Sequence, residues 1–150
     1  MGIWIRLTIT PEAINADEWQ AFYHEVHAVL ASEPSGIVAL RSEPAGRSGE
    51  RRLVLSRDIE LPGSKEQGRH LKIDGDLDSR RTGETFFLPY DKPGAETSAA
   101  EDRPDLVWWC LEEEHTPGVR VLDAKTQGRP YHHAVLALAM LAEARFPGPP

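Results

Sequence analysis

The sequence predicts an α+β fold, in which a mainly antiparallel sheet of about five to seven strands carries two helices on one face. Three observations support this prediction. Several short segments alternate apolar and polar residues, as strands do. Two longer segments, near residues 16–31 and 130–146, have the length and composition of helices. Turn-forming residues separate most of the short segments between the two helices, which favours antiparallel pairing.

The first strand and the first helix have the clearest patterns. Ile3, Ile5, Leu7 and Ile9 alternate with polar or larger residues, which indicates a strand. From Ala16 to Ala31 the apolar side chains recur at spacings of three and four, so they form one face of a helix. They are Trp19, Phe22, Tyr23, Val26 and Leu30. Asn15 and Glu18 have the spacing of a capping box, which predicts the start of that helix.

The central part of the chain predicts short strands joined by turns. Two strands are expected over 37–41 and 52–61, joined by a loose loop over 42–50 that is rich in turn formers. Shorter strands are expected over 70–74 and 85–88.

The last third of the chain predicts a loop, two strands and a helix. Residues 91–105 lack periodicity and are expected to form a surface loop. The continuous apolar run 106–111 is expected to be a central strand buried on both faces. It contains Cys110, the single cysteine, which we interpret as a buried apolar residue. A strand over 119–122 and a final helix from about Pro130 to Phe146 complete the prediction.

Length and charge restrict the class of protein. The 150 residues predict a single domain over 1–150, which stands alone or forms one part of a larger protein or assembly. The net charge of −7 disfavours nucleic acid and anionic membranes as partners. The first residues form a strand pattern rather than a signal peptide, and the longest apolar run is too short to cross a bilayer. A cytoplasmic location is therefore expected.

The final helix predicts an interaction surface. Its apolar side chains cover most of the circumference, which two helices and a sheet cannot easily bury. We expect Val135, Leu138, Met140, Leu141 and Phe146 to contact another protein, a neighbouring domain or a second copy of the chain.

A second constellation joins Pro104-Asp105 to Asp123-Ala124-Lys125, each beside a predicted strand. This pattern resembles the PD-(D/E)xK nuclease superfamily. The resemblance implies that Asp105 and Asp123 bind a divalent metal such as Mg²⁺ and that Lys125 activates or orients the attacking water. Hard carboxylate oxygens suit Mg²⁺, and the metal would stabilise the transition state of phosphodiester hydrolysis.

A third candidate is the loop before the final helix. Lys125, Gly128 and Arg129 flank a predicted helix N-terminus, where backbone amides and the helix dipole favour an anion. Three functions therefore stay open. The sequence favours a non-catalytic interaction or regulatory domain, such as an immunity-like or assembly module, without a cofactor. The alternatives are a Mg²⁺-dependent nuclease and a sensor of a nucleotide or another small ligand.

Overall fold

Seven strands and two helices make up the described part of the chain. The computed structural model describes residues 4–9, 13–34, 36–46, 49–63, 68–77, 82–92, 119–125 and 131–147. The elements are β1 (Trp4–Ile9), α1 (Ala16–Ala31), β2 (Ile37–Ala45), β3 (Glu50–Ser56), β4 (Glu60–Leu61), β5 (His70–Asp76), β6 (Thr82–Pro89), β7 (Val119–Lys125) and α2 (His132–Arg145). The predicted central strand over 106–111 and most of the predicted loop over 91–105 lie outside the described residues.

The strands form two antiparallel sheets. The larger sheet has five strands in the order β3-β2-β5-β4, with β6 also paired to β5. The smaller sheet pairs β1 with β7, so that Arg6 lies opposite Asp123 and Trp4 lies opposite Lys125 in the backbone register. The predicted α+β class and antiparallel sheet are confirmed, but the strands divide between two sheets.

The first helix begins and ends where the sequence predicts. The Asn15 side chain accepts a hydrogen bond from the Glu18 amide (2.8 Å), and the Glu18 carboxylate accepts one from the Asn15 amide (3.2 Å). This reciprocal pair confirms the predicted capping box and satisfies two amide donors at the helix start. The five predicted core side chains are buried; they are Trp19, Phe22, Tyr23, Val26 and Leu30.

The first hairpin is longer and tighter than predicted. Strand β2 continues to Ala45 and β3 begins at Glu50, so the connection has four residues instead of the predicted nine. Gly46 and Gly49 adopt positive φ angles, which close this turn without strain. Among the described residues, β5 pairs only with the first two residues of β2. The edge of β2 that faces away from β3 therefore has no partner strand at Pro44, and a proline is tolerated there.

The predicted second strand is interrupted at residues 57–59. The Ser56 hydroxyl accepts a hydrogen bond from the Asp58 amide (3.1 Å), and the Asp58 carboxylate accepts one from the Glu60 amide (3.3 Å). Such local side-chain bonds turn the backbone away from a ladder. Strand β3 therefore ends at Ser56, and Glu60 begins a separate strand that pairs with β5.

Strand β5 lies at the centre of the larger sheet. Strand β6 pairs with one edge of β5, whereas β2 and β4 share the opposite edge. The register between β5 and β6 shifts between Ile73 and Gly75, at the position of Asp74. The buried Asp74 carboxylate accepts hydrogen bonds from the Leu40 amide and from the Thr85 hydroxyl, both at 2.6 Å. This side chain thus joins β5 to both neighbouring strands where the backbone pairing is broken.

One hydrophobic core contains side chains of both helices, of β1 and of the larger sheet. The Trp19 indole N–H donates a hydrogen bond to the Pro89 carbonyl (3.1 Å), which ties α1 to the end of β6. Neither described helix is long and apolar enough to cross a membrane.

Candidate interaction surfaces

The final helix divides its apolar side chains between the core and the solvent. Val135 and Leu138 are buried, so neither is accessible to a partner in the folded chain. Leu141 and Phe146 are partly buried against the core. Of the five residues predicted to form an interaction surface, Met140 alone is well exposed, at 63% of its full area.

The sequence pattern of this helix overstated its exposed apolar surface. Small residues account for the difference: Ala134 and Ala142 are buried beside the two large core residues, so the helix approaches the core closely. Leu136, which was not among the predicted interaction residues, is 41% exposed. Leu136 and Met140 are four residues apart and are therefore neighbours on the helix surface.

Phe146 anchors the end of α2 in the fold. Its ring stacks on Trp19 with 6.2 Å between centroids, and it meets Phe22 edge-on at 5.3 Å. Arg145 adds an ion pair to Glu25 on α1 (3.5 Å). These contacts give Phe146 a packing role.

The β2–β3 hairpin exposes large apolar side chains. Leu53 and Leu55 occupy alternate positions of β3, so they lie on one face of the hairpin, and they are 70% and 44% exposed. Strand β3 has no fully buried residue. The part of β2 beyond Leu40 is likewise only partly buried or exposed. The outer half of this hairpin is therefore an arm with little core beneath it. We call residues 41–57 the hairpin arm.

The hairpin arm is basic, although the chain is acidic. Residues 41–57 contain five arginines and two glutamates, a formal charge of +3, whereas the whole chain has −7. The remaining residues therefore carry −10. Two of the arginines, Arg51 and Arg52, are exposed on β3 beside Leu53. Arg41 forms an ion pair with Asp58, which lies directly after the arm (2.8 Å), so the local formal charge with Asp58 included is +2, and this excess attracts an acidic partner.

A polar and aromatic cluster joins α1 to the opposite end of the larger sheet. The Glu60 carboxylate accepts hydrogen bonds from the Tyr23 hydroxyl (3.0 Å) and from Arg69 Nε (2.8 Å). A second guanidinium nitrogen of Arg69 lies 2.7 Å from the same oxygen. The Arg69 guanidinium also lies over the Tyr90 ring, 4.5 Å from its centroid.

Two pKa values in this cluster are shifted. Burial raises the pKa of the Tyr23 hydroxyl well above its usual range, and the bond to Glu60 adds to this effect. For Glu60 the largest contribution is burial, which opposes ionisation. The hydrogen bonds from Arg69 and Tyr23, together with the charges of Arg69 and His27, outweigh it and lower the Glu60 pKa. Because each group has a partner within the cluster, we interpret it as a structural link between α1 and β4.

The constellation that resembles the nuclease superfamily is described in part. Asp123 and Lys125 occupy alternate positions of β7, opposite Arg6 and Trp4 of β1. Asp105 lies outside the described residues, so its distance from Asp123 is not defined. Gly128 and Arg129 of the predicted anion-binding loop also lie outside. Within the described ranges, no group of three or more histidine, cysteine or acidic side chains could hold a metal ion.

The described surface includes two shallow cavities beside the helices and the larger sheet. One has a volume of about 210 Å³ and is lined by Glu18, Ala21, Arg145 and Phe146. The other, of about 70 Å³, lies where Arg57 approaches Gly36 and Ile59. Both are smaller than the ~300–1,000 Å³ that is usual for sites of drug-sized ligands.

No family model matches the chain, and no match is found among curated proteins or solved structures. Sequence reasoning predicted a strand here but missed Leu53 and Leu55 as surface residues, for which the arginines on both sides of the apolar run 53–55 were the available signal.

Proposed function

We propose that this protein is a non-catalytic interaction domain that binds another protein through the hairpin arm. The observation that carries the proposal is the exposure of Leu53 and Leu55 on a terminal strand of the larger sheet. Large apolar side chains that cluster on a surface element with polar neighbours are typical of protein-binding sites. Leu136 and Met140 on α2 form a second and smaller candidate surface.

Quantitative co-purification with matched variants tests this proposal. The wild-type chain, the double variant Leu53→Glu/Leu55→Glu and the control Met140→Glu would each be used as bait in extracts of the source organism. All three substitutions replace exposed residues, so the fold should be retained, which circular dichroism can verify. We expect proteins that are recovered with wild type and with Met140→Glu but are lost with the double variant.

Three other results would change this proposal. Equal recovery of every protein by all three baits would contradict a role for the hairpin arm. Light scattering at several concentrations identifies a second copy as the partner if the mass of the wild-type chain doubles and the mass of the double variant does not. Loss of partners with Met140→Glu alone would transfer the function to α2.

A Mg²⁺-dependent nuclease is a second proposal, supported by the position of Asp123 and Lys125 on a strand, as the resemblance implies. The test is cleavage of plasmid DNA with added Mg²⁺ by wild type and by Asp105→Ala, Asp123→Ala and Lys125→Ala. Cleavage that all three variants abolish would support the nuclease. Absence of cleavage by purified wild-type chain would contradict it.

A further inference from the structure

We infer that the outer edge of β3 binds an extended, acidic segment of a partner protein as an added strand. This inference rests on the proposed interaction function and specifies the chemistry and the geometry of the partner.

Strand β3 has one edge that pairs with β2 and one outer edge. Strand β3 pairs with β2 along its whole length, from Glu50 to Ser56, and it is the terminal strand of the larger sheet. No strand within the described ranges pairs with its other edge. In an antiparallel strand, alternate residues direct their amide and carbonyl groups to that edge. Such an edge is a template for another strand, and hydrogen bonds along it supply affinity in strand-addition complexes.

The side chains of β3 indicate which strand would fit. Leu53 and Leu55 lie on one face, whereas Arg52 and Val54 lie on the other. Directly opposite residues in an antiparallel pair place their Cβ atoms about 4.5–5.5 Å apart. Apolar residues of the added strand would therefore cover the two leucines, and acidic residues at alternate positions would lie on the face of Arg52.

Charge distinguishes an acidic segment from a second copy of the same arm. Each arm carries +3, so pairing β3 with β3 of a second copy would bring like charges together. Within the described residues, Arg51 donates Nε to the Ser42 hydroxyl (2.7 Å) and one terminal nitrogen to the Ser42 carbonyl (2.6 Å). Arg51 lies with Leu53 and Leu55 on the face that apolar residues of the added strand would cover, so Arg52 is the arginine that its acidic residues would meet.

The composition of the arm also favours a peptide over nucleic acid. Residues 41–57 contain no aromatic side chain on which a base could stack. The apolar pair Leu53 and Leu55 stands at the centre of β3, where a strand of a protein would contact it. The −10 carried by the remaining residues opposes a long polyanion that extends beyond the arm.

Synthetic peptides test the inference on the full chain. The probe is an end-capped peptide of alternating valine and glutamate, about eight residues long, which is within the usual length of a strand. One control replaces each glutamate by lysine, and a second has a central proline that cannot donate a ladder hydrogen bond. Binding is followed by amide chemical shifts and by amide hydrogen exchange of the protein.

The expected result is saturable binding of the valine–glutamate peptide, with shift changes and slowed exchange concentrated in β3. Both control peptides should bind more weakly. Arg52→Glu should weaken binding of the acidic peptide about five- to tenfold and strengthen that of the lysine peptide, since an attraction becomes a repulsion. Ala144→Ser, at an exposed position of α2 outside both candidate surfaces, should bind the acidic peptide as wild type does.

Several outcomes would overturn the inference. These are equal binding of the proline peptide, shift changes centred outside β3, and β3 amides that are already protected at the outer edge in the free monomer. Binding of a single-stranded oligonucleotide that Arg52→Glu abolishes, without peptide binding, would assign the arm to nucleic acid. If the hairpin variants lose natural partners but no acidic peptide binds, strand addition is wrong and the interaction function stands. If the peptide binds but no natural partner depends on the arm, the proposed function fails.

Discussion

The Asp74 carboxylate accepts a hydrogen bond from the backbone amide of Leu40 at the point where β2 separates from β5. Backbone pairing between these strands ends at Val38 and Gly75, and the side chain continues the connection by one more bond. Lys72 lies 3.3 Å from the same carboxylate and donates to the Leu40 carbonyl. The root of the hairpin arm is therefore held by a buried charged group.

Asp74→Ala should lower the free energy of unfolding by about 2–4 kcal/mol, because it removes the buried charged acceptor of two hydrogen bonds, from the Leu40 amide and from the Thr85 hydroxyl. Asp58→Ala is the matched control. Asp58 pairs with Arg41 on the surface, so its loss should cost less than about 1 kcal/mol. Urea denaturation at neutral pH measures both. Equal losses for the two variants would show that Asp74 is not a structural link.

Glu60 should contribute a pH-dependent part of the stability. Its pKa in the folded chain is lowered, so its contribution is present above the unfolded pKa, about 4.3, and is lost as the pH falls through the folded pKa. Glu60→Gln should therefore be less stable than wild type at pH 7, and the difference should shrink as the medium becomes acidic. Urea denaturation over a series of pH values tests this, and a constant difference would contradict it.

The capping box of α1 should contribute measurably to stability. Asn15→Ala removes the acceptor for the Glu18 amide and should cost about 1 kcal/mol. Asn15→Asp keeps an acceptor and adds a negative charge at the helix start, so it should be at least as stable as wild type. Thermal unfolding followed by circular dichroism compares the two. A similar loss for both variants would mean that the acceptor is not the source of the effect.

The two sides of the final helix should respond differently to truncation. Leu138→Ala creates a cavity in the core and should cost about 2–5 kcal/mol. Met140→Ala removes an exposed side chain and should change stability by less than about 0.5 kcal/mol. Denaturant unfolding of both variants gives the comparison. A large loss at Met140 would show that another part of the chain or a second copy covers it.

The sequence predicted those elements whose signals are local. The α1 helix has a periodic apolar face and a capping box, so its bounds at Ala16 and Ala31 could be derived from neighbouring residues alone. Strands β2, β5 and β6 were predicted in part, at 37–41, 70–74 and 85–88, whereas the single strand predicted over 52–61 is divided into β3 and β4. The class of fold follows from the order of such elements.

Features that depend on distant contacts could not be predicted. Pro44 looks like a strand terminator in sequence, and it is accepted because no strand among the described segments pairs with β2 on its other edge there. Val135 and Leu138 looked like surface candidates because the pattern does not show which side of α2 meets the core. The cluster of Tyr23, Glu60 and Arg69 brings together three separate segments of the chain. No spacing between neighbouring residues in the sequence predicts these contacts.

Strand β2 pairs with β5 at its start and with β3 along the rest of its length, so two parts of the fold should differ in local stability. Ile37 and Val38 pair with β5, whereas in the described part of the chain the residues from Ala39 to Ala45 pair with β3 alone. The amides of β3 and of β2 from Ala39 onward can therefore exchange by a local opening that leaves the rest of the fold intact. We expect this opening to cost less free energy than the opening that exposes the amides of α1 and β5. A strand bound to β3 would raise the free energy of this local opening. Binding at the hairpin arm would therefore be measurable as slower amide exchange in the arm, while the free energy of global unfolding changed little.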